Sequence, residues 1–572
     1  MINKLRNIYT KKALSQMPRL LGNQDRNQFS QTYGCFHRDY WLDKTSDFPD
    51  AVRQFGVHAL ALVYKYNFPG NIYYRQTKIK EWTIAGLNFW TRIQHRDGSF
   101  DEFYPYERGW VGPTAFTLFT SIEAYNLVKD EIPNEVAERI LAAIRRAAYF
   151  VSKGESEEDH LANHHAMACL AVWKAYKLLG DSYLLTGYKQ LWKIFLSYHN
   201  NEEGWSREYD GVDPGYLSAT ISFLSKIYQG NRDPEILNVL RQSVEFCSYF
   251  VYPNGFYGGS LGSRNTLHFY PHGFEILARE IPLAATVAEK MLKALSDDKL
   301  VPPEIISDRY VFYRVPEYLQ AYLDYKPRPN KLQPLPYERE TFNIYFPQAH
   351  IFILNKQKHY LIANLAKGGV LKIFNKKSGK LLLNDCGLIG KLKSGHVVTS
   401  QWLDPNYKFT IDDNGWKVQG QMNIVPSNKV FTLFKNLLFR TVLLLCGWSP
   451  YFSHLLKANI RRLLIIKGRR VPINFQRQFQ YGNQTFTLKD KIYIDGKERF
   501  ANLLIGDELF VRYVPQSRYF QSQELEIYGH YLQNQEIHRF NNCRTLEFQQ
   551  IIDSDKIRIS RNFHDTSSRD KN

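Results

Sequence analysis

Four glycine-centred turns recur about 50 residues apart in the first half of this 572-residue chain. They are Asp97-Gly98-Ser99-Phe100, Lys153-Gly154-Glu155, Glu203-Gly204-Trp205 and Asn254-Gly255-Phe256. Each is followed by the start of an apolar helical run: Gly112-Pro113-Thr114, Asn163-His164-His165, Asp213-Pro214-Gly215-Tyr216 and Tyr270-Pro271-His272. A fixed period in this range marks stacked supersecondary units. Two helices and two turns fill such a unit at about 1.5 Å rise per residue. The units therefore read as helical hairpins whose enriched loops emerge together at one end.

Apolar residues at i, i+3, i+4 spacing predict helices over 51–66, 78–93, 114–128, 135–152, 162–179, 183–198, 216–228, 235–250 and 284–295. With no strands between them, they predict an α/α toroid, an incomplete barrel of hairpins, over residues 51–325. Residues 1–50 read as an irregular leader, and the Pro-rich segment 326–340 as a linker. From 341 to 562 the texture changes to short runs broken by turns. Strands are predicted at 351–354, 360–363, 370–374, 491–494, 509–514, 525–528 and 545–551. Short strands in that number pack as an antiparallel β-sandwich. The fold class is thus α+β multidomain, toroid then sandwich, with a polar, disordered tail at 563–572.

The formal charge of +18 points to a polyanionic partner, and 15% aromatic residues suit a cleft that stacks sugar rings. No helix-turn-helix, zinc-finger or RNA-recognition pattern accompanies the charge, so nucleic acid is not expected. The six cysteines are scattered without paired spacing, which predicts neither a disulfide framework nor a zinc site; no metal or other cofactor is called for. No apolar stretch of signal-peptide length follows the basic start, so the expected location is cytoplasmic, at the inner face of the membrane.

One insertion interrupts the β pattern. Residues 429–470 hold nine Lys or Arg, among them Lys435, Arg440, Arg461 and Arg462, and no Asp or Glu. Leucines, phenylalanines and Trp448 lie between them. The run is too short and charged to span a bilayer, which takes about 20 apolar residues. A basic amphipathic helical hairpin contacting an anionic membrane or a partner protein fits the composition, as does a hairpin packed on the sandwich with its basic side solvated.

The loop ends carry an amide, imidazoles and phenols. Asn163 and His164 open one predicted helix and Tyr216 opens the equivalent helix of the next repeat, so ring stacking would bring the three together. Such a group suits β-elimination from a uronic acid. An amide or arginine neutralises the carboxylate, making the C5 proton acidic, while a tyrosine or histidine moves protons between C5 and O4. Arg264, His268 and His272 in the Gly-rich segment 262–272, with Trp205 and Tyr209, are the candidate substrate-binding residues. Taken singly, Asn163 also reads as a helix cap and Tyr216 as core. Glu102, Glu107, Asp159, Asp210 and Asp213 could instead form a hydrolytic pair.

This arrangement resembles the heparinase II/III-type polysaccharide lyases and related alginate lyases. The resemblance rests on the toroid–sandwich order, the Asn163-His164 pair and Tyr216 53 residues after Asn163. It implies that Asn163 neutralises the substrate carboxylate, that Tyr216 is acid or base, and that His164 adjoins them. The family's sandwich opens with a His-x-His stretch; here Ala363-Asn364-Leu365-Ala366-Lys367-Gly368-Gly369 stands there, with Lys367 in place of imidazole and His350 and His359 out of register. That shifts the third role to a toroid histidine. Three functions follow: a lyase acting on acidic polysaccharide, a silent lyase-like scaffold binding nascent exopolysaccharide at the membrane face, and a toroid glycoside hydrolase.

Overall fold

The structure, a computed structural model, describes residues 2–107, 111–153, 161–426, 432–461, 468–482, 485–506, 519–526, 529–553 and 556–565. Its helical part is a ring of two layers. The inner layer runs Gly56–Lys65, Val111–Val128, Ala162–Leu179, Pro214–Asn231, His272–Leu277 and Asp308–Asp324, each packed on the next, and the last returns to the first. The outer layer is Thr77–Arg92, Asn134–Ser152, Ser182–Tyr198, Pro234–Ser248, Pro282–Ser296 and Ile2–Leu14. Sequence sorts the layers: Val111–Val128 is buried nearly all round, whereas Asn134–Ser152 buries only a stripe of Ile140, Ala143, Ile144, Ala147, Ala148 and Val151.

The first residues depart from the expected irregular leader. Ile2–Leu14 and Met17–Asn23 are helices, and Ile2–Leu14 takes the outer place beside Asp308–Asp324. The Arg6 guanidinium donates to the Tyr322 carbonyl at 2.7 and 2.9 Å, and the buried Tyr9 hydroxyl to Glu275 at 2.9 Å. Arg328, in the expected linker, binds the same Glu275 carboxylate at 2.7 and 2.8 Å, so the segment is fastened to the ring.

Two of the recurring glycines have a common cause, whereas Gly255, at φ 88°, faces only the Lys299 side chain. Gly98 and Gly204 take φ of 96° and 81°, and a Cβ at either would lie 2.3 Å from a backbone carbonyl, Arg146 or Gln242, on an outer helix. Only glycine meets both demands. Gly34 does the same against Ala85, placing a member of the series in the supposed leader. Gly154 lies outside the described residues.

The sandwich consists of a 5-stranded antiparallel sheet in chain order, Phe342–Phe346 to Leu381–Asp385, and a 10-stranded sheet centred on Gly415–Ile424, Arg470–Gly482, Thr485–Ile494 and Arg544–Asp553. The smaller sheet is buried on both faces. Ile351, Ile353, Tyr360 and Ile362 join the toroid core, while Phe352, Leu354, Leu361 and Ala363 join the sandwich core. Strand alternation thus welds the two domains. Of the expected strands, 509–514 lies outside the described residues, and Leu525 ends a 3-10 turn, Ser522–Leu525.

A buried cation anchors the larger sheet. Arg477 donates to Asp490 at 2.7 and 2.9 Å and to Asp385 at 2.6 Å, and Gln550 donates to Asp385 at 2.9 Å. All three ionic side chains are inaccessible to solvent, and burial pushes the Asp490 carboxyl up. Arg477→Met leaves both carboxylates without their cation; the expected loss is about 3–5 kcal/mol, read from the sandwich transition in urea unfolding.

Candidate active site

The starts of three neighbouring inner helices, Val111–Val128, Ala162–Leu179 and Pro214–Asn231, line one cavity of about 400 Å³ in the mouth of the ring. Its walls carry Asn163, His164, Tyr209, Tyr216, Arg264 and His268. Its floor is aromatic: Phe116 meets Phe223 at 5.7 Å and Tyr313 at 5.9 Å, and Tyr313 meets Tyr270 at 5.9 Å. Apolar ring faces of this kind suit the faces of sugar rings.

Buried carboxylates hold the polar wall in place. The backbone N–H and the side-chain Nδ2 of Asn163 donate to the two oxygens of Glu208 at 2.7 and 2.9 Å. Glu208 is fully buried at the end of strand Trp205–Glu208, where it bridges Leu161. Asp213 caps the next helix. One of its oxygens accepts from the N–H groups of Gly215 and Tyr216 at 3.1 and 3.3 Å. The other accepts from those of Arg264 and Thr266 at 3.0 and 3.4 Å, which ties the Arg264 loop to the Tyr216 helix. Burial raises the Asp213 pKa while the backbone donors oppose that rise.

Tyr216 itself is half-buried. Desolvation, then the neighbouring phenol of Tyr209, raises its pKa well above the usual tyrosine value, so it rests as the neutral phenol. The Arg264 guanidinium, almost wholly buried, stacks 4.2 Å over the Tyr209 ring. His164 meets Phe116 edge-on at 5.5 Å, and the His268 ring lies 5.4 Å from Tyr519.

Two of the named substrate candidates lie elsewhere. His272 sits inside the ring, its Nε2 2.7 Å from Asp324 and its backbone N–H on Glu317. Trp205 donates to Glu203 at 2.7 Å and faces a second cavity of about 930 Å³, between toroid and sandwich, shared with Arg207, Asp210, His350 and Trp402. The strand pair Trp205–Glu208 and Gly211–Val212 therefore sends Tyr209 to one cavity and Trp205 to the other.

Among the loop carboxylates, Glu102 and Glu107 do reach the first cavity. Glu102 is held by Arg309 at 2.5 Å, and burial pushes its carboxyl up to about 7. Glu107 accepts from the Phe103 N–H at 2.5 Å and pairs with Lys457 of the basic hairpin. Asp213 serves backbone, Asp210 faces the second cavity, and Asp159 lies outside the described residues.

The hairpin, Leu433–Cys446 and Pro450–Arg461, therefore packs on the toroid mouth rather than on the sandwich alone. Lys457 and Ile460 complete the cavity wall, Phe439 packs edge-on against Tyr104 at 5.3 Å, and Arg440 reaches Asp47 at 3.1 Å. Arg440 and Lys457 thus turn inward, whereas Lys435 stays exposed. Arg462 lies outside the described residues, as does the side-chain placement of Arg461.

The place where the resemblance calls for imidazole has another use. The buried Lys367 ammonium donates to the carbonyls of Ser260 and Gly262 at 2.7 and 2.8 Å and to Asn265 Oδ1 at 2.5 Å. Asn364 adds a bond to the Leu261 carbonyl at 2.7 Å. The sandwich thus braces the loop that carries Arg264. His350 faces the second cavity, and His359 packs against Phe486.

Comparison with known proteins agrees with this architecture. Residues 63–291 match the family model of the ulvan lyase N-terminal domain. In fold, the chain is similar to the chondroitin AC lyase of Streptomyces coelicolor A3 solved with chondroitin sulphate, with a TM-score of 0.51 at 10% identity over 88% of this chain and 67% of that one. A mutant of the same enzyme gives a TM-score of 0.50 at 9% identity over the same shares. The heparan sulfate lyase HepC of Pedobacter heparinus is a looser likeness, with a TM-score of 0.39 at 10% identity, covering 96% of this chain and 76% of that one. No curated protein matches the sequence. The toroid is thus similar over residues 63–291 to the ulvan lyase N-terminal domain, and the chain shares its fold with the chondroitin AC lyase.

Lys367→Met removes the donor from three buried acceptors at an expected cost of about 3 kcal/mol. Amide exchange of residues 260–266 should accelerate well before the toroid unfolds.

Proposed function

We propose that the toroid cavity cleaves a uronate-containing polysaccharide by β-elimination. The observation that carries this is the presence of an amide (Asn163), a guanidinium (Arg264), an imidazole (His164) and a phenol (Tyr216) around one aromatic-floored cavity. Glu208 takes one hydrogen of the Asn163 amide, and an amide nitrogen carries two. The second, with Arg264, can hydrogen-bond the uronate carboxylate and take up the charge that develops when C5 loses its proton.

A Tyr216 that rests as the neutral phenol, at the start of its helix on the cavity wall, suits the acid role. His164 accepts the C5 proton, and the C5–H electrons become the C4=C5 double bond. The C4–O4 bond breaks, and the Tyr216 phenol protonates O4. The net result moves a proton from C5 to O4 without consuming water, leaving an unsaturated uronate on one fragment and a hydroxyl on the other.

Hydrolysis is the second reading, favoured by the Glu102 carboxyl near 7 beside Glu107 in the same cavity. Both carboxylates are tied up by cations, Arg309 and Lys457, which suits a structural cluster better than a catalytic pair.

The test is the ultraviolet absorbance of the conjugated unsaturated uronate during incubation with a panel of uronate polysaccharides. The expected rise falls by about 10²–10⁴-fold in Tyr216→Phe. The raised pKa keeps the phenol protonated, so Tyr216 imposes no loss of rate as pH climbs from 7 to about 9. A hydrolase using Glu102 as acid would instead release reducing ends without absorbance and lose rate above about 7. A flat trace with no new reducing ends sinks both and leaves a polysaccharide-binding scaffold.

A further inference from the structure

While the inner side of the basic hairpin closes the cavity, its outer side is exposed to solvent. Along Leu433–Cys446 and just beyond, Phe434, Leu437, Leu438, Leu444, Leu445 and Trp448 recur at three- and four-residue spacing on one face. Phe434 is 74% and Trp448 68% exposed, and Tyr451, opening the second helix, is 80% exposed. Exposed apolar side chains this concentrated mark an interaction surface. Leu443 and Phe439 on the opposite side take the contacts with the protein, while the stripe faces solvent.

Charge and composition select the occupant. Residues 429–470 contain no carboxylate, Lys435 flanks the stripe, and the whole chain carries +18. A protein partner of ordinary mixed charge finds no acidic group here to pair with. An anionic lipid surface needs none: its headgroups meet cations while the apolar stripe enters the acyl boundary, with Trp448 and Tyr451 at headgroup depth. No helix among the described residues is long and apolar enough to cross a membrane, so the contact is an in-plane one.

We infer that the hairpin docks the protein on an anionic lipid surface through the stripe from Phe434 to Trp448, holding the toroid mouth beside the bilayer. The docking follows from the hairpin alone and does not depend on what the cavity does.

The full chain is sedimented with vesicles of phosphatidylcholine alone and of phosphatidylcholine mixed with phosphatidylglycerol, at low and high salt. Binding should appear on the anionic vesicles and weaken with salt. The triple variant Phe434→Ser, Leu437→Ser and Leu445→Ser should bind at least about tenfold more weakly, with an unchanged circular dichroism spectrum because all three are exposed. Wild-type binding equal to that of the triple variant overturns the assignment, as does absence of binding to either vesicle. So does concentration-dependent self-association lost in the variant without vesicle binding, which would give the stripe to a second copy of the chain.

Discussion

Everything at the toroid mouth depends on the Asp213 carboxylate being buried and still satisfied. A desolvated carboxylate is costly unless donors surround it, and here four backbone N–H groups from two distant segments converge on its two oxygens. Neither segment can shift without stranding the charge. Glu208, in the same loop, repeats the device for the preceding inner helix, clamping both nitrogens of Asn163. The result is a polar wall held by ionic hydrogen bonds over an aromatic floor, the kind of preorganised site that can place donors before charge develops.

The sandwich contributes by bracing. Lys367 lies where the resemblance places imidazole, but its ammonium is spent on two carbonyls and an amide oxygen of the Arg264 loop. The described residues lining the cavity come from the toroid and the hairpin. The second domain thus keeps the toroid mouth ordered by acting as a prop. The hairpin adds a cation at the rim, where Lys457 neutralises the otherwise buried Glu107.

Much of this was legible in the sequence. Glycine spacing revealed the repeat because at Gly98 and Gly204 a positive-φ turn pressed against a carbonyl tolerates no side chain, and apolar periodicity located the helices to within a few residues. The convergence of Asn163, His164 and Tyr216 follows from helix starts sharing one end of a ring. Less legible were groups whose role is set by distant partners. Glu208 and Lys367 look like ordinary surface charges in a string of letters, yet both are buried by contacts 45 and more than 100 residues away. Asp308–Asp324 hides its helical period behind Pro316 and a buried Arg314 and Glu317. Ile2–Leu14 was missed because half its surface is polar, as befits an outer helix. His272 was grouped with Arg264 by proximity in sequence, but it begins the next inner helix and turns into the ring.

Closure of that ring joins residues 316 positions apart, where Arg6 meets the Tyr322 carbonyl. During synthesis the earliest inner helix, Gly56–Lys65, waits for Asp308–Asp324 before its apolar flank is covered. At about 5–20 residues per second that wait is on the order of tens of seconds. A nascent chain of this design is an open arc with two sticky ends. How long those ends stay uncovered is set by the topology before any chemistry begins.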